Sequence, residues 1–291
     1  MNRPSAIRAE AAARLPELRQ RHAAQFAAPL GRRLATGLAI GGPVLLLFFG
    51  LWWIDASPAR LWHGLGQLGT FAALMVPPDF GTPERLQIYL HALAETVAIA
   101  FLGTLTAAIL AFPLGFIAAR TVVGQRVVHF LSRRFLDTIR GVDTLIWALI
   151  WINVVGLGPF AGVLAIMSSD IGSFGKLFSE AIEATERKAG EGVVAAGGGG
   201  LHRIRFGLLP QVLPVMLSQV LYYFESNTRS ATIIGIVGAG GIGLHLAEQI
   251  RTLEWQTVSF LILIILAAVA LIDVLSTALR SRIVGNRVAP A

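Results

Sequence analysis

Six stretches of this chain are almost free of charge, and the polar residues gather in short clusters between them. The apolar stretches cover residues 34–54, 92–118, 141–155, 159–178, 212–237 and 258–279, with the third and fourth separated by the turn VGLGPF. A helix that crosses the hydrocarbon core of a bilayer needs about 20 mostly apolar residues. The pattern therefore predicts an all-α, polytopic membrane protein with about six transmembrane helices. Residues 60–80 are too short and too broken by Gly and Pro to span. They are expected as an interfacial helix on the outer face, with Trp52, Trp53 and Trp62 forming an aromatic belt.

Composition agrees with the pattern. Hydrophobic residues make up 55% of the 291 positions and charged residues 14%, with a mean hydropathy of +0.67. Soluble domains carry about 25% charged residues, so a water-soluble fold is excluded. There is no cysteine, which removes disulfides and thiolate chemistry.

The net charge of +7 is not gathered into a patch that would fit nucleic acid. Arginines and lysines lie instead in the first 33 residues, at Arg120, Arg126, Arg133, Arg134 and Arg140, at Arg187, Lys188, Arg203 and Arg205, and at Arg280, Arg282 and Arg287. The opposite loops hold only Arg60, Arg85 and Arg251. By the positive-inside rule, both termini and the segment 179–211 are expected in the cytosol. The expected organisation is a retained basic arm (1–33), a first span with its interfacial segment (34–84), a core (85–282) holding the cytosolic loop 179–211, and a short tail (283–291).

Familiar enzyme signatures are missing. There is no G-x-x-x-x-G-K-[ST], no G-x-S-x-G and no H-E-x-x-H, and the six histidines are scattered. GAGGIG at 238–243 satisfies G-x-G-x-x-G, but a dinucleotide fold also needs alternating strands and helices and an acid about 20 residues on. Glu254 comes too early and Asp273 too late. Gly238, Gly240, Gly241 and Gly243 are therefore read either as a tight turn allowing close backbone approach or as a gate beside a translocation path. No metal ligand set and no cofactor bound by this chain are expected.

Within 179–211, Ser179 could cap a helix that carries Glu180, Glu183 and Glu186 early and Arg187 and Lys188 later, and the glycine run after Ala196 must end it. A second short helix over LHRIRFGLL would expose Leu201, Ile204 and Leu208 on one face, as helix-in-groove docking to a partner requires. An ordinary connecting loop is the alternative. In the fifth span, Glu225 and Arg229 are i, i+4 neighbours able to pair. Either they neutralise each other, or Arg229 with Asn227 and Thr228 lines a path and binds an anion through charge-assisted hydrogen bonds. His91 and Glu95 suit a headgroup boundary. Asp143 and Asp273 are expected to pair with arginines, and Asn153 to bond a neighbouring helix.

The segment around the glycines resembles the cytosolic loop of binding-protein-dependent ABC importer permeases. Glu191 takes the Glu position of the E-A-A pattern, Gly197 the glycine, and Leu209-Pro210 the terminal pair. Gly192-Val193 replaces the usual Ala-Ala and Gly207 the usual Ile, departures that would make the loop more flexible. IWALIWINVVGLGPFAGVLA (146–165), GKLFSEAIE (175–183), LPQVLP (209–214), FESNTRSATIIGIVGAGGIG (224–243) and DVLSTALR (273–280) are together similar to the permease subunit of phosphonate-type importers.

The resemblance implies the type I importer permease fold in a bacterial inner membrane. It also implies a second permease copy, identical or not, two cytosolic ATPase subunits that bind ATP and Mg, and a periplasmic binding protein that delivers the substrate. The permease itself would not be an enzyme. Glu191, Gly197, Leu201, Ile204, Leu209 and Pro210 would form the ATPase-coupling segment. Permeases for methionine or an osmoprotectant are the nearer rival, and an intramembrane enzyme acting on lipid or phosphoryl groups is a more distant one.

Overall fold

The computed structural model describes residues 15–16, 20–21 and 30–284, so most of the basic arm and of the tail lie outside the described residues. The described residues are helical with short connections and contain no strand. The chain divides into two compact units, Met1–Thr70 and Phe71–Ala291.

The first unit holds α1 (Leu30–Trp53) and most of α2 (Pro58–Leu74). Over residues 34–53, α1 is long and apolar enough to cross a bilayer, and none of that stretch is buried by protein. Helix α2 starts where Ser57 accepts the Arg60 N–H and an Arg60–Asp55 ion pair (2.8 Å) closes the turn. Trp52, Trp53 and Trp62 are all exposed.

In the second unit, α3 (Pro83–Ala118) begins at an N-cap supplied by Thr82, followed by Pro83 and Glu84, a favourable order for a helix start. Helices α4 (Arg126–Arg140), α5 (Thr144–Val155), α6 (Pro159–Glu183), α7 (Arg187–Ala195), α8 (Leu209–Ile236), α9 (Ile242–Arg251) and α10 (Trp255–Val284) follow. One helical turn at Gly200–His202 and a π-helical stretch, Arg203–Leu208, lead into α8.

The core is built on α3 and α6. Their facing surfaces are small, with Ala100, Gly103, Ala107, Ala111 and Gly115 on α3 and Gly162 and Ala165 on α6, while Gly172 and Gly175 of α6 turn to α4 at Leu136 and Arg140. A Cβ on Gly103 would lie 2.7 Å from Ile166 Cβ, and one on Gly115 2.7 Å from Phe178 Cβ. Lipid supplies no hydrophobic drive between helices, so such close approach is what lets dispersion hold them together. Phe174, Phe178, Ile182, Val212 and Met216 fill the space beside this seam and bring α8 into the same core.

Among the described residues, four helices are long and apolar enough to span singly, namely α1, α3, α10, and α8 with the turns preceding it. The sequence reading counted 141–155 as a span of its own. Helix α5 has 12 residues, about 18 Å at 1.5 Å per residue and short of the ~30 Å core. It joins α4 through an 83° bend, and only the pair together passes as a fifth span. The 159–178 span is helical throughout, but α6 continues to Glu183 and is packed inside the unit rather than presented as an apolar cylinder.

Several polar expectations change. Asp143 does not pair with an arginine. It caps α5 by accepting the Leu145 N–H at 2.8 Å. Asp273 is exposed, and among the described residues no arginine lies within ion-pair distance of it. Asn153 bonds its own helix at Leu149 O (2.7 Å), not a neighbour. Ser179 caps nothing: it is fully buried inside α6, and its hydroxyl donates to Lys176 O.

Substituting Gly103→Val should destabilise the purified protein by about 1–3 kcal/mol, because the added carbons have no space against Ile166 and the Val163 carbonyl. Thermal unfolding in detergent would check this. Gly64→Ala, where a Cβ meets nothing within 4 Å, is the matched control.

Candidate functional site

The loop between α6 and α8 is held at its root. Glu183, the last residue of α6, accepts the Arg120 backbone N–H (2.7 Å) on Oε1 and the Arg133 guanidinium (2.9 Å) on Oε2. Asp137 on α4 pairs with Lys176 on α6 at 2.9 Å. The α3–α4 elbow and the end of α6 therefore form one block from which the loop departs.

Helix α7 ends on a Schellman turn. The Gly198 N–H donates to Val193 O and the Gly197 N–H to Val194 O, both at 2.9 Å, with Gly197 at φ +86°. Gly198 is not slack either, since a Cβ there would meet Val193 Cγ1 at 2.7 Å, whereas Gly200 faces open space. Gly207 is also not a point of looseness. The π-helical stretch crosses α7 there, and a Cβ on Gly207 would lie 2.8 Å from Gly190 Cα. Glycine at 207 allows a contact that Ile could not make, which reverses the expectation of added flexibility.

Arg203 lies over Gly190 and donates to Thr121 O at 3.3 Å, tying this crossing back to the elbow. A cleft of ≈ 590 Å³ lies here, lined by Thr121, Arg187, Gly190, Glu191, Arg203 and Leu208 among others. Of the residues proposed from sequence for docking, Leu201 is 82% exposed, Ile204 is half-buried and Leu209 packs on the core. Glu191 is exposed on α7, and Pro210 is exposed in the first turn of α8. Leu208 is buried, so the apolar residues actually offered to solvent are Leu201, Phe206 and Val194.

The polar residues of α8 point in two directions. Glu225 is only 11% exposed and lies between two guanidiniums: Arg229 at 3.4 Å from Oε1, and Arg280 of α10 at 3.2 Å from Oε2. Asn227 faces the helix core, where its amide donates to Thr104 Oγ1 (2.8 Å) on α3 and to Asp170 Oδ2 on α6. Thr228 is buried and donates to Phe224 O. The structure thus brings Glu225 and Arg229 together and sets Asn227 and Thr228 apart from them.

The glycine loop between α8 and α9 is tight. Gly238, Gly240 and Gly241 all have positive φ. Two adjacent side chains of α3 hold the loop: Glu95 Oε1 accepts the Gly241 N–H and Thr96 Oγ1 the Ile242 N–H, each at 2.8 Å. Gly238 O accepts the Gly158 N–H (3.0 Å), and Gly243 packs against Gly235. Beside it, Glu84, His91, Glu95 and His245 line a cleft of ≈ 670 Å³. Among the described residues, no group of three or more His, Asp or Glu is arranged to hold a metal ion.

Sequence reasoning missed three participants. Asp170 sits inside a predicted span, and an acid at that depth is itself a signal. Arg280 enters the sequence reading only as one of the C-terminal positive charges that orient the chain, although its side chain reaches Glu225. Glu95 was explained by headgroups, yet it accepts a backbone N–H 146 residues away.

Comparison with known proteins places this arrangement. Residues 111–285 match the family described as binding-protein-dependent transport system inner membrane component. A putative phosphite transport system permease protein of Stutzerimonas stutzeri is 37% identical over 245 residues, covering 84% of this chain and 86% of the relative. A phosphite transport system permease protein of the same organism is 34% identical, covering 86% and 89%. The fold is similar to a chain of a methionine ABC transporter solved in inward-facing conformations, with a TM-score of 0.60 and 16% identity over 70% of this chain and 99% of the other.

The Asp170–Asn227–Thr104 bonds cross three helices, and interhelical hydrogen bonds in membranes contribute roughly 0.6 to 1.7 kcal/mol. Asp170→Leu should lower thermal stability in detergent by about that amount or more, because it leaves an Asn227 N–H without an acceptor. Asp170→Asn can turn its carbonyl to Asn227 and should stay close to the parent.

Proposed function

The chain belongs to the family of binding-protein-dependent transport system inner membrane components, and from that premise we propose that it is the permease subunit of an ATP-driven importer for phosphonate or a related phosphorus oxyanion or ester. Relatives named for phosphite transport and covering most of both chains support the substrate class. So does a relative named as a putative cryptic phosphonate transport system permease of Escherichia coli, 46% identical over 122 residues. The observation that carries the reading is the cluster on α8 and α10, in which one carboxylate serves two guanidiniums and Arg229 remains half-exposed. That excess positive charge suits an oxyanion, and the planar guanidinium fork matches its geometry.

Transport in this reading needs ATPase subunits bound at the loop after α6. Leu201 and Phe206 offer the apolar anchors, while Gly197, Gly207 and the Glu183 junction make the loop stiff enough to pass on a displacement. ATP and Mg belong to those partners, and a binding protein on the outer side would deliver the substrate. A second permease copy would close the path, with Arg229 facing it.

Two outcomes follow. Leu201→Asp should abolish co-elution of the ATPase subunit with the tagged permease without changing the permease's own thermal stability. Arg229→Gln should lower uptake of labelled phosphite or methylphosphonate by roughly tenfold or more in vesicles holding the full importer, with Arg229→Lys intermediate. Unchanged uptake in both Arg229 variants removes it from the path. Vesicles that carry methionine and none of the phosphorus compounds would overturn the substrate class.

A further inference from the structure

The two arginines around Glu225 are not equivalent. Arg280 is only 25% exposed, and its Nη2 donates both to Glu225 Oε2 (3.2 Å) and to Thr277 Oγ1 (3.1 Å). Its guanidinium also lies 6.0 Å from the centre of the Tyr222 ring. Arg229 is 49% exposed, sits 3.4 Å from Glu225 Oε1, and has no other protein acceptor among the described residues. A shielded pair with extra hydrogen bonds holds better than an exposed one at longer distance.

We propose that Arg280 is a counter-ion keeper, a positioning residue that neutralises Glu225 so that Arg229 can leave it for a phosphorus oxyanion. The proposal rests on the anion path of the preceding section. An anion that draws Arg229 away would otherwise strand a nearly buried carboxylate, a large cost in a low-dielectric interior. With Arg280 in place, Glu225 keeps a partner throughout, and Arg229 changes from one acceptor to another of like charge. Without Arg280, Glu225 has only Arg229, and the pair closes on itself. Glu225 therefore acts as a placeholder that orients Arg229 between substrates, and Arg280 sets how firmly it holds.

The test uses the assembled importer in proteoliposomes, with phosphite and methylphosphonate as probes. Arg280→Gln should lower uptake by roughly tenfold, the scale of a displaced charge-pair partner. Adding Glu225→Gln to that variant should restore uptake to within about threefold of the parent, because the stranded acid is gone. Co-elution with the ATPase subunit reports assembly for each variant. If Arg280→Gln fails to assemble, Arg280→Lys carries the test and should keep uptake within the same threefold range; a tenfold loss there overturns the proposal. Normal uptake in Arg280→Gln, or no recovery in the double variant when it assembles, also overturns it. If Arg229→Gln costs nothing in the parent importer, the anion path itself falls and the proposal with it. Loss with Arg229→Gln but no rescue in the assembled double variant removes only the role of Arg280.

Discussion

Everything in the second unit depends on how closely α6 can approach its neighbours. Its glycines meet α3 at Ile99, α4 at Leu136 and Arg140, and the glycine loop at Ala239 O, at distances that exclude a methyl group. In water, such a helix could be held by larger apolar side chains pressed together by solvent. In lipid that drive is absent, and contact area must come from shape alone. A surface of small residues gives the area, and it also brings backbone and short side chains near enough to bond across helices. The Asp170–Asn227–Thr104 bonds exist because the three helices are this close.

The same packing fixes where charge can be placed. Glu183 and Asp137 meet Arg133, Arg120 N–H and Lys176 only because α4 lies against the end of α6. The loop that follows inherits a rigid base. Its own form then comes from backbone geometry: a left-handed glycine at 197 and a glycine-to-glycine crossing at 190 and 207. Glycine is usually read as freedom. At Gly198 and Gly207 it marks the opposite, positions where neighbouring atoms leave no room for a side chain.

This explains what could be read from the sequence and what could not. The helical fold, the spans at 34–54, 92–118, 212–237 and 258–279 and the turn at Gly197 were legible because each follows from local composition or a single residue's conformational freedom. The Glu225–Arg229 pair was legible from i, i+4 spacing. The partners of Arg280 and Asp170 were not, since they lie 55 and 57 residues away: an acid inside a span marks Asp170 as unusual, but no local pattern says what it bonds. The short α5 was miscounted because hydropathy measures apolarity and not where the chain bends. Glu95 looked like a boundary acid because its acceptor role toward Gly241 appears only once α3 and the glycine loop meet.

Helix α8 joins the parts that a transport cycle would have to connect. It leaves the loop through a π-helical stretch in which Gln211 Nε2 donates to Gly207 O (2.7 Å), passes the Glu225 cluster, and ends in the loop held by Glu95 and Thr96. Pro214 removes an i→i−4 hydrogen bond inside the early turns of α8 and loosens them, whereas Pro210 stands at the helix start, where proline fits. The far end has no such freedom, because Gly235, Gly241 and Gly243 are in close backbone contact with their surroundings. The glycine end of α8 is therefore its tightly held end. A displacement of the loop would tilt α8 about its fixed end. Glu225 and Arg229 lie between the two, where a tilt shifts one side of the cluster relative to Arg280 on α10. The Arg280–Glu225 bond is thus where a motion at the loop and the state of the charge cluster would meet.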